Sequence, residues 1–499
     1  MKKRLSALDL IAFGVGATIG SGIFALTGTA AAGQALGARD WLSTPVINFI
    51  LSSPLGRDGA GPAVAISFIV AAAACALAAM CYAELAAMIP VAGSAYTFAY
   101  AALGEVVAWI IGWNLILEYS VGNIAVAVSW SDYFLYLVHG LTGLKFPLWL
   151  TTDTSTALAR LAATSSPQLG LYSSLSLPSL AGHPFALNLP AFLIVAAITW
   201  VLVIGIQESA IVNTIMVVVK LAVVMFFIFY GLGYVKTANW VPFAPTGLVG
   251  VLGGAAIVFF SFIGFDAVSS MAEETKNPQK SIPIGMLGSL AICTILYAAV
   301  SLILTGILPY KMYINDAAPV ATALAATGSP LAQVLVAAGA LAGMTSVLLV
   351  FQLGQPRIFM AMARDGLLPK VVSKLHPRYR TPFIPTIITG VVVAVSALFL
   401  DIGQAAELTN IGTLYAFILV CAGVLVLRKN DSARERPFRC PLVPVIPVAG
   451  MLICFLLMLS LPVVTWVRFF VWTAIGMAIY FAYGVRQADL LHPATTTAE

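Results

Sequence analysis

The chain has 499 residues, 61% of them hydrophobic and 9% charged, with a mean hydropathy of +0.99. Soluble globular chains carry about a quarter charged residues, so no water-facing surface of ordinary composition can be assembled here, and lipid must solvate most of the outside. The net charge of +5 does not imply a nucleic-acid partner, because in membrane proteins basic residues sort by side of the bilayer and the side matters more than the sum.

A helix needs about 20 apolar residues to cross the hydrocarbon core. The apolar runs here are long and continuous, where barrel strands are short and alternating, so the fold class expected is all-α integral membrane. Spans are predicted over 9–33, 62–89, 104–138, 189–207, 210–234, 247–271, 283–308, 329–362, 384–401, 405–428, 445–463 and 467–486, twelve transmembrane helices. The start, Met1-Lys2-Lys3-Arg4 before an apolar stretch with Ala30 to Ala32 beyond it, imitates a cleavable signal. Gly14, Gly16, Gly20 and Gly22 make that stretch a poor signal core, so it is read as a retained first span. An even number of spans puts both termini on one side. With the N-terminus inside, seventeen Lys and Arg fall in inner segments and seven in outer ones, while Lys220 lies within a span. This bias predicts cytoplasmic N- and C-termini in a multi-pass protein of the cell inner membrane.

Between the third and fourth spans, residues 139–187 form a long outer segment rich in Ser, Thr, Leu and Pro. A poorly ordered excursion is expected there, with a lid or partner site as the alternative. Residues 487–499 are a C-terminal tail. Of the six cysteines, Cys75, Cys81, Cys293, Cys421 and Cys454 fall in spans and Cys440 in a basic inner loop; none has metal-ligand spacing, so they are read as small packing residues. No metal and no cofactor are expected.

The strongest local signal is in the first span, Gly14-Val15-Gly16-Ala17-Thr18-Ile19-Gly20-Ser21-Gly22-Ile23-Phe24, a poor helix interior because each Gly costs about 1 kcal/mol relative to Ala. The sixth span, Phe259-Phe260-Ser261-Phe262-Ile263-Gly264-Phe265-Asp266, also breaks at mid-depth. Unwound backbone in lipid is tolerated only where it is buried in protein or faces a wet cavity. Freed N–H groups at a half-helix start attract a carboxylate, and freed carbonyls at the preceding half-helix end attract an ammonium. One broken helix therefore complements the backbone of any amino acid. Glycines also allow close helix packing, which would suffice for Gly14 alone. Two breaks five spans apart instead mark the equivalent helices of two inverted repeats, and such paired breaks point to a transporter's central site.

Three runs carry a family likeness: Gly20-Ser21-Gly22-Ile23-Phe24; Ser261-Phe262-Ile263-Gly264-Phe265-Asp266 with Glu273-Glu274-Thr275-Lys276-Asn277-Pro278; and Tyr82-Ala83-Glu84-Leu85 with Pro90-Val91-Ala92-Gly93-Ser94-Ala95-Tyr96. Together they resemble the amino acid–polyamine–organocation superfamily, and within it the cationic amino acid transporter branch, over nearly the whole chain except 34–61 and 139–187. The resemblance implies one polytopic unit over 1–486: a five-plus-five inverted repeat (9–234 and 247–428) with two appended C-terminal helices (445–486), transporting amino acids by alternating access. It implies that Thr18, Ser21 and Gly22, with Ile19 and Gly20, meet the substrate carboxylate and backbone, and that the carbonyls of Phe260 and Ile263, beside Gly264, receive the amino group. Met344 matches a position that shapes the side-chain pocket. Methionine is bulky and adaptable and would favour small or neutral substrates there; ordinary packing is the alternative.

Ionisable groups inside the bilayer are costly and are functional candidates by default. Lys220 lies ten residues into the fifth span, too deep to reach water easily. A lysine desolvated without a partner can release and rebind a proton in the physiological range, so Lys220 is the candidate proton-coupling residue; the alternative is permanent pairing with Asp266 or Glu118. A lysine at this point resembles the proton-coupled members of the superfamily, where it stands at a vacated sodium site. Glu118, mid-membrane in the third span, can hold an ammonium, with Gly122 one turn on leaving room for its side chain; the alternative is a brace between the first and third spans. Asp266 can cap the second half-helix of the sixth span or join in coupling. Glu84 is expected to brace the inner end of the second span, and Asp132 and Glu105 to sit near span ends where solvation is easy.

The leading expectation is a secondary active, proton-coupled symporter of cationic or small neutral L-amino acids. An amino-acid exchanger is the alternative, disfavoured by Lys220, and a non-transporting sensor is a third. An enzyme is not expected: there is no His-Glu-x-x-His run, no Gly-x-Ser-x-Gly elbow and no paired intramembrane aspartates, and His139, His183, His376 and His492 all fall in loops or tails.

Overall fold

A computed structural model describes residues 5–33, 40–88, 94–162, 167–180, 182–205, 210–379, 381–431 and 433–484. The basic start Met1–Arg4, part of the outer segment near 34–39, the Pro90-Val91-Ala92-Gly93 run and the tail 487–499 lie outside the described residues.

The described chain is helical almost throughout. In order come α1 (Ala7–Thr18), α2 (Thr27–Ala32), α3 (Val46–Ile50), α4 (Val64–Met88), α5 (Ser94–Leu103), α6 (Glu105–Thr142), α7 (Thr154–Ala162), α8 (Leu189–Ile204) and α9 (Ala210–Leu232). They are followed by α10 (Gly247–Val258), α11 (Pro278–Ile307), α12 (Pro319–Ala325), α13 (Pro330–Arg364), α14 (Phe383–Ala397), α15 (Ile402–Asn430), α16 (Val445–Leu459) and α17 (Val463–Ile479). Among the described residues, nine helical stretches are long and apolar enough to cross a membrane, and α8, α14 and α16 are shorter apolar helices. The chain is thus an all-helical multi-pass membrane protein. Large apolar side chains such as Phe229, Ile295, Leu452 and Phe481 stand exposed on its outside, while Asn123, Ser129, Thr409 and Asn410 are buried inside. That inversion is what lipid as solvent demands.

Local chemistry sets the helix ends. Ser6 and Asp9 form a reciprocal capping box at the start of α1. Asn188 and Asp401 cap α8 and α15 through Ala191 N (3.2 Å) and Gln404 N (2.9 Å). Gly143 and Gly205 end α6 and α8 in left-handed conformations.

The outer segment is not a loose excursion. It carries α7 and two small strand pairs, β1 (Phe146–Pro147) parallel to β2 (Tyr172–Ser174) and β3 (Ser179–Leu180) antiparallel to β4 (His183–Pro184). Leu148, Ala157, Tyr172 and Ala186 pack with Leu135 of α6 into a core of their own. Arg160 of α7 pairs with Asp132 of α6 and donates to the Tyr172 hydroxyl, all three buried. Asp132 is therefore not solvated at a helix end, as its position suggests, but is the buried anchor of this small domain. Sequence composition could not show this, because the anchor needs one residue from α6 and one from α7. Glu105 likewise has a partner, accepting from the Tyr480 hydroxyl (2.8 Å). Glu84 braces the far end of α4 by accepting from Arg428 (2.7 and 3.0 Å) and from the Cys440 amide (2.6 Å).

Candidate functional site

The first long helix breaks where its glycines cluster. α1 ends at Thr18, Ile19 is extended (φ −72°, ψ 93°), a π-helical turn runs over Gly22–Leu26, and α2 follows. Single π turns often accompany functional sites. The sixth predicted span breaks too: α10 gives way at Phe259 to a 3-10 turn, Ile263 is extended, Gly264 takes φ +113°, and a second 3-10 stretch runs over Phe265–Glu274. Glycine is needed at 264 for that left-handed backbone and for space, since a Cβ there would sit 2.7 Å from the Ala17 carbonyl oxygen.

The two breaks lie against each other. A Cβ on Gly22 would come 2.4 Å from Ser261 Cα, so Gly22 is the crossing point of the two main chains. The Tyr297 hydroxyl of α11 reaches the carbonyls of both Thr18 (2.9 Å) and Ser261 (3.1 Å). Tyr133 donates to Phe24 O (2.7 Å), and Asn410 donates to Ala256 O (2.7 Å) and Ile257 O (3.0 Å). Side chains of neighbouring helices thus satisfy several carbonyls that the irregular backbone frees. Thr18 Oγ1, Ser21 Oγ and Ser261 Oγ, all buried at the breaks, have no hydrogen-bond partner among the described residues. Buried orphan hydroxyls are costly unless something else pairs them.

A cavity of ≈ 100 Å³ adjoins the breaks. Its lining joins five of the residues singled out in the sequence, Glu118, Lys220, Ile263, Gly264 and Asp266, with Gly16 and Ala17 of α1 and Val347, Val350 and Phe351 of α13. Gly20 sits behind this wall, its Cβ position 3.2 Å from Val347. Lys220 is buried, its ammonium donates to the Gly16 carbonyl (3.3 Å), and its stem lies across Gly343. Glu118 is buried with the Thr413 hydroxyl beside it.

Other sequence expectations are relocated. Met344 is fully buried and does not line the cavity; Phe351, two turns on, does. Gly122 does not make room for Glu118 but seats the Phe351 ring, 3.0 Å from its Cβ position. The Phe260 carbonyl accepts the Ile263 amide (3.2 Å). Sequence reading missed Tyr297, Tyr119, Val347 and Phe351. Nothing in a run of apolar residues distinguishes the one that turns toward a cavity from those that turn toward lipid.

A family model described as amino acid permease matches residues 5–483. The chain is 45% identical to a branched-chain amino acid permease of Bacillus subtilis (strain 168), over 98% of this chain and 95% of that one. It is 43% identical to a methylthioribose transporter of the same organism, over 99% and 95%. It is 39% identical to a vacuolar cationic amino acid transporter of Arabidopsis thaliana, over 86% of this chain and 64% of that one. These relatives are transporters rather than enzymes. With two broken helices meeting at one buried cavity, and a match that runs from the first helix to the last, the chain belongs to the amino acid permease family of the amino acid–polyamine–organocation superfamily.

Proposed function

We propose that this chain is a secondary active transporter that takes up neutral aliphatic L-amino acids by proton-coupled symport. The observation that carries the reading is the pairing of the two breaks beside one cavity, with orphan hydroxyls on Thr18, Ser21 and Ser261 and carboxylates and an ammonium on the wall. A carboxylate suits the hydroxyls of Thr18 and Ser21, and an amino group suits Glu118, Asp266 and the carbonyl face near Ile263. The apolar part of the wall, Val217, Val347, Val350 and Phe351, suits an aliphatic side chain better than a charged one, which narrows the cationic or small neutral range that the sequence suggests.

Lys220 is the proposed proton carrier. Its charged form holds the Gly16 carbonyl of α1, so arrival or loss of the proton would be felt by the half-helix that lines the cavity. The coupling ion on this reading is H+, with no further cofactor. The architecture proposed is twelve spans, with α8, α14 and α16 crossing despite their length, as a five-plus-five inverted repeat (9–234, 247–428) plus two appended helices (445–486), both termini cytoplasmic, in the cell membrane.

Uptake into proteoliposomes with imposed pH or sodium gradients tests this. Accumulation should follow an inward proton gradient, ignore sodium, and vanish in Lys220→Ala while equilibrium binding persists. Undiminished pH-driven uptake in that variant refutes the coupling role, and flux that needs trapped internal amino acid favours exchange. The similarity to a methylthioribose transporter favours one other cargo, a thioether sugar; methylthioribose therefore belongs among the competitors, and its displacement of every amino acid would replace the substrate class.

A further inference from the structure

α6 and α13 run antiparallel along a shared contact. Gly140 faces Val334, the Trp130 indole donates to Thr345 Oγ1 (3.0 Å), and Gly112 faces Met362. Where these helices border the cavity, each carries an aromatic residue three positions before a glycine: Tyr119-Ser120-Val121-Gly122 and Phe351-Gln352-Leu353-Gly354. Residues three apart share a helix face, so each helix presents a ring and, one turn on, bare backbone. Antiparallel pairing sets the ring of each against the glycine of the other. A Cβ on Gly122 would lie 3.0 Å from Phe351 Cε2, and one on Gly354 would lie 2.7 Å from Tyr119 Cε1. The rings also meet each other, centroids 5.5 Å apart and planes at 59°.

Neither ring is a plain packing residue. Both are only partly buried and both line the cavity. Each has the other helix's main chain directly behind it, so neither can retreat when something presses from the cavity side. A wall of two backed rings has a fixed position, unlike one made of a flexible methionine.

We propose that this reciprocal ring-on-glycine interlock, Tyr119 on Gly354 and Phe351 on Gly122, sets the upper size limit for the substrate side chain. The proposal rests on the cavity being the amino-acid site. It deepens that reading by assigning selectivity to the α6–α13 wall rather than to Met344. A Cβ added at Gly122 would meet the Phe351 ring at 3.0 Å, so Gly122→Ala must shift that ring by a few tenths of an ångström, toward the cavity that is its open side, and shorten the space there.

The test is displacement of labelled L-leucine by L-alanine, L-valine, L-leucine and L-phenylalanine on purified protein in nanodiscs. One methylene in an apolar pocket is worth about 10–200-fold. Gly122→Ala should therefore weaken leucine and phenylalanine by about tenfold or more while alanine stays within about threefold. Phe351→Ala should do the reverse, admitting phenylalanine. The double variant should recover leucine binding. A uniform loss across the series, or an unchanged series in a variant that binds, overturns the interlock as a selectivity wall. Val347→Trp separates the two levels by filling the cavity from another part of its wall: normal leucine binding there means the cavity is not the site and sinks both readings. Blocked binding with an unaltered size series in Gly122→Ala sinks the interlock alone.

Discussion

At the scale of single residues, the hydroxyl of Tyr297 has the most to hold. It carries one proton and lies between two carbonyls, Thr18 O and Ser261 O, one on each broken helix. Removing it strands buried acceptors, which costs about 1–3 kcal/mol each time a buried polar group loses its partner. Tyr297→Phe should lower the melting temperature in detergent and weaken substrate binding together, because both breaks lose a shared tie; an unshifted melting temperature would show that the two carbonyls find other donors. Gly22 makes the complementary case. The glycine-rich run was readable as a break, yet the part each glycine plays was not. Gly22 reads as a substrate position, and its missing Cβ also lets the main chain pass Ser261. Gly22→Val should therefore reduce the yield of folded protein, beyond any loss of binding. Lys220 and Glu118 were visible in the sequence because a charge in an apolar run stands out, while Phe351 was not, because an aromatic in such a run does not.

At the scale of elements, helices of strong apolar continuity were legible to within a few residues, and so were the two breaks. What failed was the outer segment 139–187, where a polar composition hid a small packed domain. Beside the apolar contact with Leu135, its attachment rests on a buried ion pair: Arg160 of α7 against Asp132 of α6, with Asp316 nearby. Breaking a buried pair by removing one partner costs about 3–5 kcal/mol, so Arg160→Ala should release the domain to protease while leaving the membrane helices intact. The surrounding acids add a pH dependence. Burial pushes the carboxyl of Asp316 up to about 6 and, with Asp401 contributing, that of Asp153 up to about 6. Oδ2 of each is buried without a hydrogen-bond partner among the described residues. For an acid raised in the folded state, the unfolded chain holds fewer protons between its ordinary range near 4 and about 6, so stability falls as pH rises through that window. Docking of the domain should be firmer near pH 4 than at pH 7, read as proteolysis rate against pH. Asp316→Asn should flatten the curve; an unchanged curve would place the titration elsewhere.

At the scale of the whole molecule, the cavity is one-sided. Its lining takes Phe13, Gly16 and Ala17 before the first break and Ile263, Gly264, Asp266 and Ala267 at or after the second, so it lies on the face that carries the start of α1 and the second half of the sixth span. The opposite side is closed by Phe24 against Tyr133 and by a buried pair, Arg57 with Glu407, whose second oxygen accepts from Thr465 (3.0 Å). On the alternating-access reading proposed above this side opens in turn, and we propose that opening separates Arg57 from Glu407. In Arg57→Ala the unpaired Glu407 is costly only while the side stays closed, because once open the carboxylate is hydrated. The variant should thus shift the resting population toward the opposite opening, and each tenfold of shift needs only about 1.4 kcal/mol of that difference. Thr29 is buried on this side and borders the outer pocket that Arg57 and Glu407 also line. All six native cysteines are buried, so a Thr29→Cys reporter can be labelled by a charged thiol reagent over a low background. Labelling from the side opposite the N-terminus should accelerate by about tenfold or more when Arg57→Ala is added. It should not do so when Arg57→Ala is combined with Glu407→Gln, which removes the buried charge as well. Equal labelling rates with and without Arg57→Ala would mean that the pair does not hold this side shut.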